Sequence, residues 1–242
     1  MAITSGTSTS MSNTPQAGDD IFTSATTGIT EDSTGYFTLD VMANDLGGKA
    51  KTLYSIDNGA EIGDASAYSD LLAKDAVGSV QYSALGAEIK ITAEGKISYH
   101  IVPAMNLQSL AQGESVTDTF TYAIRLGNGT LSWATASVQI VGVNDAPTVT
   151  SLTASINEGN GTTSVDGLTG AADVDNGTTL SIVAPETLPA GVSINGSVIT
   201  LDANDTAYDS LAQDETQEVT VTYGVTDGIA TLTLARPERL NA

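Results

Sequence analysis

The sequence predicts an all-β protein built from two tandem β-sandwich domains. Three observations support this prediction: apolar and polar side chains alternate along short segments, glycine-containing turns separate those segments, and motifs of one half of the chain recur in the other. Hydrophobic residues make up 40% of the chain and aromatic residues only 5%. Such a composition suits thin sandwich cores filled by Val, Ile and Leu.

The alternation is clearest between residues 120 and 125. Phe120, Tyr122 and Ile124 are separated by single residues that are smaller or more polar. A period of two places alternate side chains on opposite faces of a strand, so that one face is buried and the other meets solvent. A helix is favoured only at Ala67–Lys74, which we expect to be a short surface excursion of the first domain.

Turn signals lie between these segments. Asn195-Gly196 separates two apolar segments, and Asn128-Gly129 and Glu94-Gly95 do the same in the first half of the chain. Asn-Gly is preferred in tight hairpins in which both turn residues have positive φ. The sequence therefore predicts hairpins at all three places.

The chain also contains an internal repeat. Ser109–Glu114 is matched by Ser210–Glu215, and the threonines, tyrosine and glycine that follow keep the same spacing. Two homologous domains account for this pattern. We expect a flexible leader at 1–14, a first domain at 15–146 with an insert near 57–82, and a second domain at 147–242 that ends in a short C-terminal tail.

The net charge of −21 restricts the possible partners. None of the eight basic residues lies between residues 126 and 235. Such a surface repels nucleic acid and anionic membranes, so we expect neither as a partner. Carboxylates that lie close together there would require a divalent cation between them. The alternative is a uniformly solvated acidic surface, as in halophilic proteins.

The cysteine content and the apolar stretches bear on the cellular compartment of the protein. The chain has no cysteine, which excludes disulfides and thiolate metal sites. No apolar stretch approaches the length of a transmembrane helix, and no signal-peptide core follows Met1. A bacterial surface protein of this kind would leave the cell by a signal-peptide-independent route, although the same absence also fits a cytoplasmic protein.

The most specific motif is GVNDAP at 142–147, which follows a predicted strand at 136–141. DTFTY at 118–122 and LDVMAND at 39–45 accompany it. As a set, these motifs resemble the bacterial cadherin-like and VCBS-type repeats of secreted adhesins, and the two-domain size is similar to that of the Rap (rhizobial adhering protein) family. The resemblance implies cadherin-like domains of Greek-key, immunoglobulin-like topology. It also implies a secreted lectin that binds calcium and bacterial exopolysaccharide.

Calcium binding is also supported by the chemistry of the acidic residues. Ca²⁺ takes about six to eight oxygen ligands from carboxylates, amides, carbonyls and water. Asp173 and Asp175 would share one face of an extended segment and converge on one ion. The ligands predicted at the domain junction are Glu31, Asp118, Asn144, Asp145, Asp173 and Asp175. This set resembles the cadherin interdomain site; the alternative is an acidic loop held by Asx turns.

A second calcium cluster is predicted at the outer end of the first domain. Its members are Asp19, Asp20, Asn44 and Asp45. The Asp-x-Asp pair of the related repeats is replaced by Ala43-Asn44-Asp45 here, which is a departure from the family pattern. The second domain ends without another motif of the Asn-Asp-Ala-Pro type, so we expect any site at that end to be incomplete.

Candidates for sugar binding and for catalysis are few. Trp133 would point outward from a strand at 131–140 and could stack on a sugar ring, but packing at the sheet edge or beneath the insert explains it equally well. The single histidine, His100, has no serine or cysteine partner in a recognisable catalytic arrangement, and P-loop motifs are missing. We therefore expect no enzymatic activity.

One functional hypothesis and one alternative follow. The hypothesis is a secreted, monomeric, calcium-dependent lectin that binds acidic bacterial exopolysaccharide and acts in adhesion or in the biofilm matrix. The alternative is a structural spacer segment of a large repeat adhesin, without a ligand site of its own. Both predict an extracellular or cell-surface protein that contacts no nucleic acid and inserts into no membrane.

Overall fold

The computed structural model describes residues 16–59 and 70–227, and also the strand segments 233–234 and 238–241. The chain forms two compact units, residues 1–143 (unit 1) and residues 144–242 (unit 2). The sequence prediction placed this boundary between residues 146 and 147. The predicted leader at 1–14 and residues 60–69 of the predicted insert lie outside the described residues.

Unit 1 is a pair of four-stranded sheets. The strands are β1 (Asp20–Phe22), β2 (Tyr36–Leu39), β3 (Thr52–Asp57), β4 (Gln81–Tyr82), β5 (Glu88–Ile91), β6 (Ile97–His100), β7 (Ser115–Arg125) and β8 (Leu131–Val141). Their order is β1-β8-β7-β3 in one sheet and β2-β6-β5-β4 in the other. Neighbouring strands are antiparallel, except that β1 runs parallel to β8.

The core of unit 1 contains residues of both sheets. Phe120, Tyr122 and Ile124 on β7 are buried, as their alternation predicts, and they belong to one apolar cluster with Ile89 of β5 and Ile97 of β6. Burial of each large side chain contributes about 1.5–3 kcal/mol. The buried faces of the two sheets therefore pack against each other, and this packing fixes the positions of the loops that connect them.

The segment after residue 69 covers part of the outer face of β3 and β7. Ser55 and Ala123 are paired on these strands and are fully buried. The hydroxyl of Ser55 donates to the carbonyl oxygen of Leu71 at 2.6 Å. The strand face that the alternation assigns to solvent is thus locally covered by the chain that follows the insert.

Among the residues that the structure describes, helical structure is limited to single turns. They are the α-helix α1 (Ser24–Thr27) and the 3₁₀ turns Gly48–Ala50, Asp70–Leu72 and Pro103–Met105. Of the helix predicted at Ala67–Lys74, residues 67–69 lie outside the described residues, and the remainder forms only the turn Asp70–Leu72.

Unit 2 has shorter strands arranged in three-stranded sheets. They are β9 (Thr153–Ser155), β10 (Thr162–Asp166), β11 (Ser181–Val183), β12 (Val192–Asn195), β13 (Val198–Asp202), β14 (Glu218–Val221), β15 (Gly224–Thr226), β16 (Thr233–Leu234) and β17 (Glu238–Asn241). The sheet orders are β10-β13-β12, β11-β15-β16 and β14-β17-β9. Leu201, Tyr208, Val221 and Tyr223 are buried in its core. The prediction of an all-β chain with two sandwich domains is confirmed.

The turn between β12 and β13 lies one residue further along the chain than predicted. Asn195 pairs with Val198, so the turn residues are Gly196 and Ser197 rather than Asn195 and Gly196. Gly196 has a φ of 61°. Glycine at the first turn position is the requirement of a type II′ turn.

The hairpin at Asn128-Gly129 also differs from the prediction. Gly129 has a φ of 90°, but Asn128 is not among the described residues with positive φ. The side chain of Asn128 accepts a hydrogen bond from the N–H of Thr130 at 3.0 Å, and the N–H of Gly129 donates to the carbonyl of Leu126 at 2.9 Å. The prediction that both residues of the pair have positive φ is wrong, because this Asx bond lets glycine alone take the left-handed conformation.

Candidate metal sites

An acidic cluster forms where the first residues of unit 2 meet two loops of the same unit. The backbone N–H of Asp145 donates to Asp175 Oδ2 at 3.0 Å. The side-chain amide of Asn144 donates to Asp227 Oδ2 at 2.7 Å, and Asp227 directly follows β15. Together with Asp173, these residues are called the unit 2 cluster below.

Local hydrogen bonds hold the loop that carries two of these aspartates. The N–H of Asp175 donates to Asp173 Oδ1 at 2.9 Å, and the hydroxyl of Thr178 donates to the carbonyl of Asp175 at 3.1 Å. Asp175 is only 7% exposed, whereas Val174 between the two aspartates is exposed. Burial therefore alternates along this loop, with the apolar residue on the outer side.

One oxygen of each of these aspartates is left without a donor. Asp173 Oδ2 and Asp175 Oδ1 are buried and accept no hydrogen bond from the residues that the structure describes. A buried group in this state costs about 1–3 kcal/mol, and more if it is charged. An Asx turn explains Asp173 Oδ1, and the N–H of Asp145 satisfies Asp175 Oδ2, but neither bond involves the two unpartnered oxygens. A cation would satisfy both oxygens and offset the repulsion between the carboxylates.

Glu31 is attached to the last residues of unit 1. Its Oε1 accepts a hydrogen bond from the N–H of Val143 at 2.7 Å, and its own N–H donates to the carbonyl of Val141 at 3.1 Å. The side chain is 3% exposed. Asp32, which the sequence analysis did not select, lies beside it and accepts a hydrogen bond from Gln108 at 3.1 Å. The adjacency of Glu31 and Asp32 in the sequence was the signal that could have pointed to Asp32.

Hydrogen-bond donors of the protein surround both carboxylate oxygens of Asp118. It is fully buried, and its Oδ2 accepts the hydroxyl of Tyr99 at 2.6 Å. Its Oδ1 accepts the N–H groups of Leu85 and Thr119, both at 2.8 Å. Because both oxygens are satisfied inside the core, we remove Asp118 from the predicted ligands.

The four residues predicted at the outer end of the first domain separate into two groups. Asp20 and Asp45 converge, since the hydroxyl of Tyr122 lies 2.8 Å from Asp20 Oδ2 and 3.2 Å from Asp45 Oδ1. Asp19 instead accepts the backbone N–H of Thr135 at 2.9 Å. The amide of Asn44 donates to the carbonyl oxygen of Asp19 at 2.9 Å.

Burial perturbs the titration of this group. Burial, with a smaller contribution from the negative charge of Asp45, raises the pKa of Asp20 to about 6, against the opposing effect of the Tyr122 hydrogen bond. Burial also raises the pKa of Asp45. The sequence predicts Tyr122 only as a core residue. The alternation of apolar and polar residues along this strand gives no sign that the hydroxyl of Tyr122 reaches two carboxylates.

Two exposed aromatic surfaces are present in unit 1. Trp133, the predicted sugar-binding residue, is 43% exposed on β8. The second surface, missed by the sequence analysis, crosses the outer face of the other sheet, where Tyr36, His100, Glu88 and Tyr82 occupy consecutive paired positions. The rings of Tyr36 and His100 lie 4.4 Å apart, and both tyrosines are more than half exposed.

Solved cadherin structures are similar to this chain at low sequence identity. No family model and no curated protein matches the sequence. Solved structures similar to the chain are Drosophila N-cadherin EC1-4 (12% identity, 93% of this chain and 48% of that chain covered, TM-score 0.48), protocadherin gamma C5 EC1-3 (13%, 95% and 66%, 0.46) and mouse cadherin-23 EC22-24 (11%, 93% and 62%, 0.45). The chain spans about half to two thirds of these cadherin chains. At this level of likeness no residue role is transferred.

The helices of the described residues are single turns. None of them is long and apolar enough to cross a membrane.

Proposed function

We propose that the protein is a calcium-binding adhesion module that works outside the cell. The observation that carries this proposal is the pair of buried carboxylate oxygens without donors, Asp173 Oδ2 and Asp175 Oδ1. Without an ion, burial of these oxygens without a partner destabilises the folded state. A bound cation removes this destabilisation, which favours ion binding.

The donor atoms of the unit 2 cluster fit calcium. They are carboxylate and amide oxygens, and the chain has no cysteine to offer sulfur. Ca²⁺ accepts six to eight oxygen ligands in flexible geometry, whereas Zn²⁺ favours nitrogen and sulfur and Mg²⁺ demands near-ideal octahedra. Asn144, Asp145, Asp173 and Asp175 are the proposed ligands, and Asp227 orients Asn144 through its hydrogen bond.

The assignment of Glu31 as a calcium ligand stays a prediction from the sequence.

Calcium would act on stability before it acts on ligand binding. An ion that binds only the folded state stabilises it by about 2.7 kcal/mol when its concentration is 100 times the dissociation constant. In this strongly acidic chain the ion would also reduce repulsion among carboxylates. The folded adhesion module would therefore depend on extracellular calcium.

The calcium proposal is tested by isothermal titration of the full chain. Asp175→Asn should lower calcium affinity about tenfold or more, because a charged ligand is lost while the shape is kept. Asp209→Asn is the matched control, since Asp209 is an exposed aspartate of the same unit. Equal calcium binding by the wild type and Asp175→Asn would reject the unit 2 cluster as a site.

The ligand that we propose is acidic bacterial exopolysaccharide. The chain carries a charge of −21, so an acidic polymer would be repelled unless calcium lies between the two. Aromatic rings such as Trp133 and Tyr36 offer apolar faces on which sugar rings stack, with polar groups nearby. Calcium and an aromatic surface together would make a lectin.

A pull-down on purified acidic exopolysaccharide tests this second step. Binding should occur with calcium and disappear with excess chelator. Trp133→Ala and Tyr36→Ala would show which aromatic surface contributes, with Tyr54→Ala as a control for loss of another tyrosine. A chain that binds calcium but no polysaccharide would instead be a spacer of a larger adhesin.

A further inference from the structure

Asparagine is directly followed by glycine at five places in the chain. The asparagines are Asn58, Asn128, Asn160, Asn176 and Asn195. Glycine has no Cβ, so its backbone nitrogen is sterically accessible to the side chain that precedes it. That nitrogen can attack the side-chain amide of the asparagine and displace ammonia. Each Asn-Gly step is therefore a site of covalent change wherever the fold leaves the glycine nitrogen free to react.

In the hairpin between β7 and β8 the fold does not leave this nitrogen free. The N–H of Gly129 donates to the carbonyl oxygen of Leu126 at 2.9 Å. The side chain of Asn128 is held as well, since its Oδ1 accepts the N–H of Thr130 at 3.0 Å. Both reacting groups of this step are thus engaged in hydrogen bonds, although Asn128 and Gly129 are exposed.

The hairpin between β12 and β13 places the same pair of residues differently. Asn195 itself pairs with Val198, so Gly196 is the first residue of the two-residue turn. The N–H of Gly196 makes no hydrogen bond with any residue that the structure describes. The register of the turn, and not the local sequence, therefore decides whether the glycine nitrogen is engaged.

The surroundings of Asn195 are open. Asn195 and Gly196 are both exposed, and nothing lies within 4 Å of the position that a Cβ on Gly196 would occupy. Within the described part of the chain, the side-chain amide of Asn195 makes no hydrogen bond. The amide and the glycine nitrogen are therefore both accessible to water and to each other.

The remaining Asn-Gly steps differ from Asn195 in their surroundings. The N–H of Gly59 donates to Asp57 Oδ2 at 3.0 Å, and the N–H of Gly161 donates to Asn204 Oδ1 at 3.4 Å. Asn176 directly follows an aspartate of the unit 2 cluster, so its reaction would depend on whether an ion is bound there. Asn195 combines an unengaged glycine nitrogen with a position outside the candidate metal sites.

We propose that Asn195 is a site of spontaneous deamidation that loosens the β12–β13 hairpin. The nitrogen of Gly196 loses its proton to water and forms a bond to Cγ of Asn195. The C–N bond of the side-chain amide breaks, and its nitrogen leaves as ammonia. Water then opens the resulting cyclic imide at either carbonyl, which gives aspartate or isoaspartate. The net change is amide plus water to carboxylate plus ammonium, so no oxidant or reductant is needed.

The isoaspartate product changes the backbone of the hairpin. Its main chain runs through the side-chain carbon and is one carbon longer at residue 195, which pairs with Val198. Val192 and Ile194 of the same strand pack against the core of unit 2, so a loosened β12 withdraws support from that core. In a protein that works outside the cell, the modified form would accumulate with the age of the molecule. That last consequence alone rests on the proposed function.

Peptide mapping by mass spectrometry tests the chemistry on the full chain. The folded wild type is incubated at mildly alkaline pH, digested and analysed for conversion of amide to carboxylate. Asn195 should convert at least about fivefold faster than Asn128, because the hydrogen bonds at Asn128 must break before the reaction. In urea the two rates should be similar, since both asparagines precede glycine and a hydroxyl residue. Asn195→Gln should remove conversion at this position and leave that at Asn128 unchanged.

Amide hydrogen exchange tests the effect on the hairpin. Exchange in β13 should be faster in the aged wild type than in Asn195→Gln aged in the same way. Equal rates at Asn195 and Asn128 in the folded chain would overturn the proposal, as would an Asn195 that converts only in urea. Equal exchange in the two aged proteins would overturn the loosening of the hairpin. These rates are read from individual peptides, so they stand whether or not the chain binds calcium or polysaccharide.

Discussion

Asp118 and Asp175 are both buried aspartates, yet their surroundings give them opposite roles. Asp118 accepts hydrogen bonds from Tyr99, Leu85 and Thr119, so both of its oxygens are satisfied. Asp175 accepts one bond on Oδ2, and its buried Oδ1 accepts none from the described part of the chain. The number of donors around each carboxylate, rather than its burial, distinguishes a structural aspartate from a candidate metal ligand.

Replacement of Asp118 should destabilise unit 1 without affecting ion binding. Asp118→Ala leaves the hydroxyl of Tyr99 and the N–H of Leu85 without an acceptor in the core, which costs about 1–3 kcal/mol for each group. Urea denaturation followed by Trp133 fluorescence should show this loss, and calcium titration of the folded variant should give the wild-type stoichiometry. Loss of an ion would return Asp118 to the ligand set.

The raised pKa of Asp20 predicts a pH dependence in chelator. Its usual pKa is 3.8, and burial raises it to about 6 in the folded chain. The folded state therefore holds the proton more tightly than the unfolded state, so the contribution of Asp20 to the free energy of unfolding falls as pH rises from about 4 to about 6. Asp20→Asn should lack this decline and be more stable than the wild type at pH 7 in chelator.

Urea denaturation at several pH values measures this difference directly. Both proteins contain the same other carboxylates, so subtraction of the two pH profiles removes the contribution of every carboxylate that does not interact with Asp20. Parallel profiles between pH 4 and pH 7 would contradict a raised pKa for this residue.

At the residue scale, the sequence revealed candidate ligands only where they are adjacent in the chain. Asp20 and Asp45 were predicted because each belongs to a short acidic motif. Tyr122 was not, since a hydroxyl on a core strand carries no sequence signal of this kind. Their convergence depends on the pairing of distant strands, which a local pattern does not specify.

At the scale of elements, Gly142 occupies a tight passage after β8. A Cβ atom there would lie 2.2 Å from the carbonyl oxygen of Leu110 and 2.3 Å from that of Ala111, which are both backbone atoms. The N–H of Gly142 donates to the carbonyl of Glu114 at 3.0 Å. The glycine of the GVNDAP motif is therefore required for close approach of the backbone.

Gly142→Ala should destabilise unit 1 by about 1–3 kcal/mol, because the backbone must shift to accommodate the methyl group. Gly35→Ala is the control, since nothing lies within 4 Å of its added Cβ and its φ is not positive. Its effect should stay within about 0.5 kcal/mol. Chemical denaturation monitored by Trp133 fluorescence distinguishes the two, and equal stability of both variants would show that the passage relaxes without cost.

Strands were easier to predict than turns and excursions. The period of two placed Phe120, Tyr122 and Ile124 correctly in the core, because burial of one face directly shapes the sequence. The turn at Asn128-Gly129 was predicted in position but not in conformation, because the side chain of Asn128 competes for the backbone. The burial of Ala123 depends on a covering segment that the strand pattern does not reveal.

At the scale of the whole molecule, each unit contains a group of converging acidic residues. In unit 1 Asp20 and Asp45 converge on the hydroxyl of Tyr122, and in unit 2 Asp145 contacts Asp175 and Asn144 contacts Asp227. Each cluster contains a buried carboxylate oxygen without a hydrogen-bond partner among the described residues. In both units, a cation bound at these oxygens would offset the free-energy cost of burying them without a partner.

This arrangement predicts that the protein loses stability when calcium is removed and gains it with the logarithm of the calcium concentration once the sites are filled. In excess chelator the melting temperature should fall, and it should return when calcium is added, because binding to the folded state alone stabilises it by mass action. Magnesium at the same concentration should restore less stability, since it prefers a stricter octahedral geometry. Equal melting temperatures in chelator and in calcium would show that the clusters are stable without an ion.

The most direct test of calcium binding is equilibrium dialysis of the full chain against radioactive calcium, with the wild type compared with Asp175→Asn and Asp45→Asn. The account predicts at least two ions per wild-type chain and the loss of a different ion in each variant. Absence of calcium binding by the wild type, or the same stoichiometry in all three proteins, would contradict it.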